Sequence, residues 1–99
     1  MYRGTTPTIK INVNIDPLTI AQAYITFEQG EVVVFEKTLN ECNIVNNSLV
    51  FELTQAETLK LSAYKLLNVQ MRGIKSSGKV FATNIQKLKV NEILKNGVI

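Results

Sequence analysis

The stretch TIKINVNID alternates without a break, with Ile9, Ile11, Val13 and Ile15 on one side and Lys10, Asn12, Asn14 and Asp16 on the other. A period of two sends successive side chains to opposite faces of a pleated chain, so it predicts a strand with one dry and one wet face. Asp16-Pro17 ends that strand, because proline has no amide hydrogen for the ladder and pushes the residue before it out of helical space. The next stretch, IAQAYITFEQGEVVVFEKTL, holds two runs rich in β-branched and aromatic residues joined across Gly30, which predicts a hairpin. A bare two-residue loop at Gln29-Gly30 would set Glu28 opposite Glu31, so a slightly longer loop is expected.

A second hairpin is predicted by CNIVNNSLVFEL, where Asn46-Asn47 tolerates left-handed backbone and Leu49, Phe51 and Leu53 alternate with Val50, Glu52 and Thr54. A third pair, AYKLLNVQMRGI and KVFATNIQKLKV, flanks the turn cluster Lys75-Ser76-Ser77-Gly78. Between the fifth and sixth strands lies TQAETLKL, whose Thr54 and Glu57 stand at capping-box spacing. A helix near residues 55–61 is too short to persist alone and must be held by packing, with Leu59 and Leu61 as the expected anchors. It would carry the chain from one sheet to the other across an end of a sandwich. The pattern therefore predicts one all-β domain over residues 1–99. Its expected form is a single antiparallel β-sandwich of about seven strands, immunoglobulin-like or related, with jelly-roll strand order equally permitted.

Composition adds limits. A chain of 99 residues with 45% hydrophobic residues can bury one core. No apolar run approaches the ~18 residues of a membrane helix, and MYRGTTPTIK is polar where a secretory leader is apolar, so a soluble chain without membrane partners is expected. Cys42 is the single cysteine and no histidine exists to activate it, which suits a half-buried structural thiol.

Without histidine or tryptophan, sites built from His and Cys ligands have no material. The five glycines stand singly and form no phosphate-binding loop. Asp16, Glu28, Glu31, Glu36, Glu41, Glu52, Glu57 and Glu92 fall mostly on outward strand positions or turns and read as a solvated face. No enzyme activity, cofactor or metal is expected.

Charge is unevenly spread. Residues 1–57 carry three basic groups against seven acids, net −4, and residues 58–99 carry eight against one, net +7. Lys65, Arg72, Lys75, Lys79, Lys87 and Lys89 are the candidates for one basic surface on adjoining strands. Such lysines also blunt sheet edges against accidental pairing. Nucleic acid is the alternative target, but base stacking needs exposed aromatics, and this half offers only Tyr64 and Phe81, the latter expected to be buried. A further possibility is that acidic and basic halves meet head to tail between copies. MYRGTTPT reads as a polar extended arm. Ile93, Leu94, Val98 and Ile99 follow the last strand, with Asn96-Gly97 as a turn; they either fold back on the sandwich or pack on a neighbouring subunit.

The order of features resembles small β-sandwich proteins of Gram-positive phages and prophages and is similar to the N-terminal domain of phage baseplate upper proteins. RGTTPTIKINVNI is similar to the opening strand with its polar lead, and AYITFEQGEVVVFEK to the hairpin that follows. SLVFELTQAETLKLSAYKLLNVQMRG resembles the strand, threonine-started turn and return strand, and SSGKVFATNIQKLKV the closing hairpin. The return strand opens with Ser62-Ala63-Tyr64 where the family pattern leads one to expect a glycine. The resemblance implies a virion structural protein of tail or baseplate type, made in the host cytoplasm, that works by assembly with other phage structural proteins or with itself. It supplies structural positions and no functional residues.

Overall fold

The computed structural model describes all 99 residues. Eight strands and one α-helix follow in the order β1 (Thr8–Asn12), β2 (Ile20–Gln29), β3 (Val32–Thr38), β4 (Asn43–Val45), β5 (Ser48–Glu52), α1 (Gln55–Leu59), β6 (Leu67–Lys75), β7 (Val80–Ala82) and β8 (Gln86–Leu88). Every strand pair is antiparallel. The smaller sheet has the order β1-β5-β4, and the larger runs β3-β2-β6-β7 with β8 also on β6. The expected all-β fold is present, and α1 carries the chain from the smaller sheet to the larger.

Alternation determines which residues the two sheets share. Ile9, Ile11, Leu49 and Phe51 from the smaller sheet meet Ala23, Ile25, Phe27, Leu67, Val69 and Met71 from the larger in one core. Phe27 is fully buried, stacks on Phe35 with ring centroids 4.4 Å apart and meets Phe51 edge-on at 6.1 Å. Gly73 is required within this packing: a Cβ there would stand 2.9 Å from both the Gln22 carbonyl oxygen and the Phe81 ring. Phe81 is accordingly half-buried rather than buried, lying across the glycine.

Two expectations need correction. The closing run 79–90 is two strands, which raises the count to eight. Its ladder on β6 slips by one residue between Arg72↔Ala82 and Val69↔Gln86. Thr83 causes the slip, because its hydroxyl replaces a backbone carbonyl in accepting the Met71 amide at 3.1 Å, while its own amide donates to the Met71 oxygen at 2.9 Å. The first hairpin loop is not longer than two residues; it is displaced by one. Gln29 pairs with Val32, and Gly30 and Glu31 form the turn with φ of 57° and 66°. Positive φ at both central residues gives the twist that a two-residue hairpin needs. A bulge at Phe27/Glu28 then sets Glu28 opposite Val33, so the two glutamates never face each other.

The capping box of α1 is formed: the Glu57 amide donates to Thr54 Oγ1 at 3.1 Å and the Thr54 amide to Glu57 Oε1 at 2.9 Å. Leu61 is buried as expected, whereas Leu59 is half-buried and the fully buried residue of the helix is Thr58. The Thr58 hydroxyl donates to the Thr5 carbonyl at 2.8 Å, joining the helix to the N-terminal segment. Thr54→Ala should lower stability by about 1 kcal/mol, read from chemical denaturation, while leaving the strands intact.

Lys37 is the chief polar exception to the core pattern. It follows Phe35 in phase on the inner face of β3 and is buried, and its ammonium pairs with Glu57 of α1 at 2.7 Å and Glu41 at 3.3 Å. The solvated-face reading therefore fails for Glu57, whereas Glu41 stays exposed while it pairs with Lys37. Burial disfavours the Lys37 ammonium, but the hydrogen bonds and charges of Glu57 and Glu41 outweigh it and raise its pKa above 10.5. Glu41 lies below its ordinary 4.5, first because the Thr38 amide donates to it and then through Lys37. For Glu57 burial acts upward, and Lys37 with the Thr54 amide brings the net value below 4.5.

The signs fix a pH window. The carboxylate contribution is complete above pH 4.5 and is lost as pH falls through the lowered folded values; the Lys37 contribution is complete below pH 10.5 and is lost as pH rises through its raised value. Melting temperature should form a plateau between these limits and fall on both sides. Lys37→Met should flatten the alkaline fall and shrink the acid one.

Candidate functional site

The structure separates the six predicted basic residues. Lys75 and Lys79 flank the β6–β7 turn, where the Lys75 amide donates to the Lys79 carbonyl at 2.8 Å. Arg72 points from the middle of β6 to the outer face of the larger sheet, between Tyr24 and Ala82. Lys65, Lys87 and Lys89 gather at the opposite end: Lys65 and Lys89 line one cavity with Tyr64, and Lys87 pairs with Asn68 near the start of β6. The two ends of β6 are roughly 25 Å apart at the rise of a strand. At physiological salt, exposed charges farther apart than about 8 Å are largely screened from each other, so the groups at the two ends do not add into one field. Asn68 also donates to Glu28 at 3.0 Å, which places a carboxylate beside Lys87. The expected single basic surface is thus two separate clusters with Arg72 between them.

The apolar C-terminal residues also divide. Ile93 is half-buried, and its Cδ1 lies 2.8 Å from where a Cβ on Gly4 would stand, so it packs against the N-terminal segment. Leu94, Val98 and Ile99 are exposed. The Ile99 amide donates to Gln55 Oε1 at 2.7 Å, which returns the segment to α1 by a polar contact only. Folding back therefore holds for Ile93 and for the backbone at Ile99, and leaves three aliphatic side chains in solvent.

The N-terminal residues are no free arm. Residues 1–3 run parallel to residues 89–91: the Asn91 amide donates to Met1 O at 2.7 Å and the Arg3 amide to Asn91 O at 3.0 Å. The Arg3 guanidinium donates to Leu61 O at 2.7 Å, Leu59 O at 3.1 Å and Glu92 Oε1 at 2.6 Å. One side chain thereby ties the N-terminus, the end of α1 and the C-terminal segment. Glu92 lies below the ordinary carboxylate range, through the Ile93 amide first and Arg3 second.

The opposite side edge is open. The loop Leu39–Cys42 crosses from β3 to β4 in four residues, so the outer edges of the two sheets face the same side. β3 pairs only with β2 and β4 only with β5. None of the 14 backbone hydrogen bonds outside the regular elements involves residues 31–37 or 43–45. Val32, Val33, Ile44 and Val45 are exposed along this edge, with Glu31 and Glu36 among them. Cys42 is half-buried beside it, and burial pushes its thiol pKa up, as suits a structural residue.

Sequence reasoning did not mark the end of the larger sheet near Gly30 as special. There Gln29 is buried, donates through Nε2 to Ser62 O at 2.9 Å and accepts the Ser62 amide at 2.8 Å. This braces the loop containing Tyr64, which has φ of 63° and an almost fully exposed ring. The available signal was the glycine expected within Ser62-Ala63-Tyr64 and absent there. No helix is long and apolar enough to cross a membrane. Comparison with protein families, characterised proteins and solved structures gives no match.

Proposed function

We propose that this protein is a non-enzymatic building block that works by protein–protein assembly, a subunit or adaptor of tail or baseplate type in a phage particle. The observation that carries the reading is the pair of unpaired strand edges, β3 and β4, that expose Val32, Val33, Ile44 and Val45; further apolar side chains are exposed at Tyr64, on the outer face of the larger sheet at Tyr24, Ile74 and Val80, and on the C-terminal segment. Aliphatic side chains exposed along strand edges whose backbone groups are unpaired suit contact with another protein better than chemistry. The strand order suits the immunoglobulin-like form of the expected sandwich. β1, β5 and β4 would occupy the places of strands B, E and D of an immunoglobulin-like sandwich, with β3, β2, β6 and β7 as the facing sheet.

The competing reading, nucleic-acid binding by the basic C-terminal strands, predicts affinity that falls steeply with salt. A fluorescence-polarisation titration with single-stranded and duplex DNA separates the two. The assembly reading expects no saturable binding at physiological salt; micromolar binding with a steep salt dependence would overturn it.

A further inference from the structure

β1 is an edge strand whose free side can be read residue by residue. It pairs only with β5, and the Leu53 amide donates to the Pro7 carbonyl at 3.0 Å and the Val13 amide to the Asn47 carbonyl at 3.2 Å. Both bonds continue the register that runs from Thr8↔Glu52 to Asn12↔Ser48. Antiparallel pairs alternate between bonded and unbonded, so Ile9 and Ile11 also turn their backbone groups to β5. Thr8, Lys10 and Asn12 therefore turn one N–H and one C=O each away from it, toward the open edge. None of the backbone hydrogen bonds outside the regular elements involves these residues. Groups repeated at that two-residue spacing are met together only by another extended backbone.

The other edges are less fit for an added strand. The register of β3 on β2 shifts at Phe27/Glu28 and its Lys37 points inward, while β4, β7 and β8 have three residues each. Short strands, bulges and inward charges all resist strand addition. β1 keeps an unbroken register over five residues. Beside its end, Asn12 and Asn14 line a cleft of about 370 Å³ with Phe81, Asn84 and Gln86 from the edge of the larger sheet, and no charged residue stands in its wall. In the immunoglobulin-like arrangement strand A lies beside B, which is the place next to β1. The N-terminal residues do not take that place, because residues 1–3 are tied to residues 89–91.

We propose that the β1 edge receives one extended segment of a partner protein, added as a further strand of the smaller sheet. Its residues alternate: aliphatic side chains beside Ile9 and Ile11 turn toward the core and the uncharged cleft, and an acid stands opposite Lys10. Lys10 is the one charged residue of β1, is exposed and belongs to no ion pair. Glu52 stands opposite Thr8 on β5, on the side of β1 away from the open edge. Opposite charges facing across a strand pair stabilise it. This inference rests on the assembly reading and names its mode of contact.

Amide hydrogen exchange on the full chain, followed by NMR, tests this with a capped seven-residue peptide that alternates valine and threonine around a central glutamate. Alone, the amides of Thr8, Lys10 and Asn12 should exchange freely while those of Ile9 and Ile11 are protected. Peptide at up to about 1 mM should slow the three free amides by about tenfold. The same peptide N-methylated at its glutamate and threonines should leave them unchanged. Lys10→Pro removes an N–H that the fold does not use, so it should keep the melting temperature and abolish slowing at Thr8 and Asn12. Lys10→Glu should bind the lysine-centred version of the peptide more tightly than the original. No slowing by the unmodified peptide, or equal slowing by the methylated one, would overturn strand addition at β1, and the DNA titration then tells separately whether the assembly reading stands. Slowing confined to residues 32–38 would overturn the choice of edge and leave the assembly reading in place.

Discussion

Phe27→Ala should destabilise the protein by about 3–5 kcal/mol, a large share of the roughly 5–15 kcal/mol available to a domain of this size. Phe27 is fully buried at the meeting of the two sheets, stacked on Phe35 at 4.4 Å and edge-on to Phe51 at 6.1 Å. Truncation removes both ring contacts and leaves a cavity walled by strands that cannot collapse without breaking their ladders. Urea unfolding should show a lower midpoint with an unchanged slope. Leu94→Ala, at a fully exposed position, should change stability by less than about 0.5 kcal/mol. If the two substitutions cost the same, the core assignment is wrong.

The second large effect is expected at Arg3. Arg3→Ala leaves the Leu59 and Leu61 carbonyls without this donor and frees Glu92, at a cost of about 2–3 kcal/mol. Arg3→Lys should restore little of it, since an ammonium cannot reproduce a planar fork that reaches three acceptors in different directions. Hydrogen exchange gives the specific sign of the clamp: the amides of Arg3, Asn91 and Ile99 should lose protection while those of β2 and β6 keep theirs. Uniform loss of protection would mean that Arg3 supports the whole fold rather than the two termini.

Much of the architecture was legible because it rests on local rules. Strict alternation at Ile9, Ile11 and Val13 and at Leu49, Phe51 and Leu53 named the inner face, and Thr54 with Glu57 named the helix start. What escaped depends on partners distant in sequence. Lys37 falls in phase with Phe35, so alternation alone would have sent it inward, yet nothing local reveals that Glu41 and Glu57 converge on it. Arg3 acts on residues some 56 to 89 positions away. The split of the last strand depends on one hydroxyl bonding across the sheet to Met71. The basic surface failed for a different reason: a count of charges along the chain carries no length scale, and a nine-residue strand separates its ends beyond mutual reach. The positive φ at Glu31 and Tyr64 escaped because neither residue type is a usual mark of that conformation.

The most direct test of the assembly reading is the mass in solution by light scattering behind a sizing column, taken over a range of protein concentrations at low and at high salt. The account predicts a defined multimer of the 11.1 kDa chain that grows with concentration and persists at high salt, because contacts between exposed apolar side chains outlast the screening of charges. A mass of 11.1 kDa at every concentration and both salts would contradict self-assembly and leave only an adaptor that needs another protein.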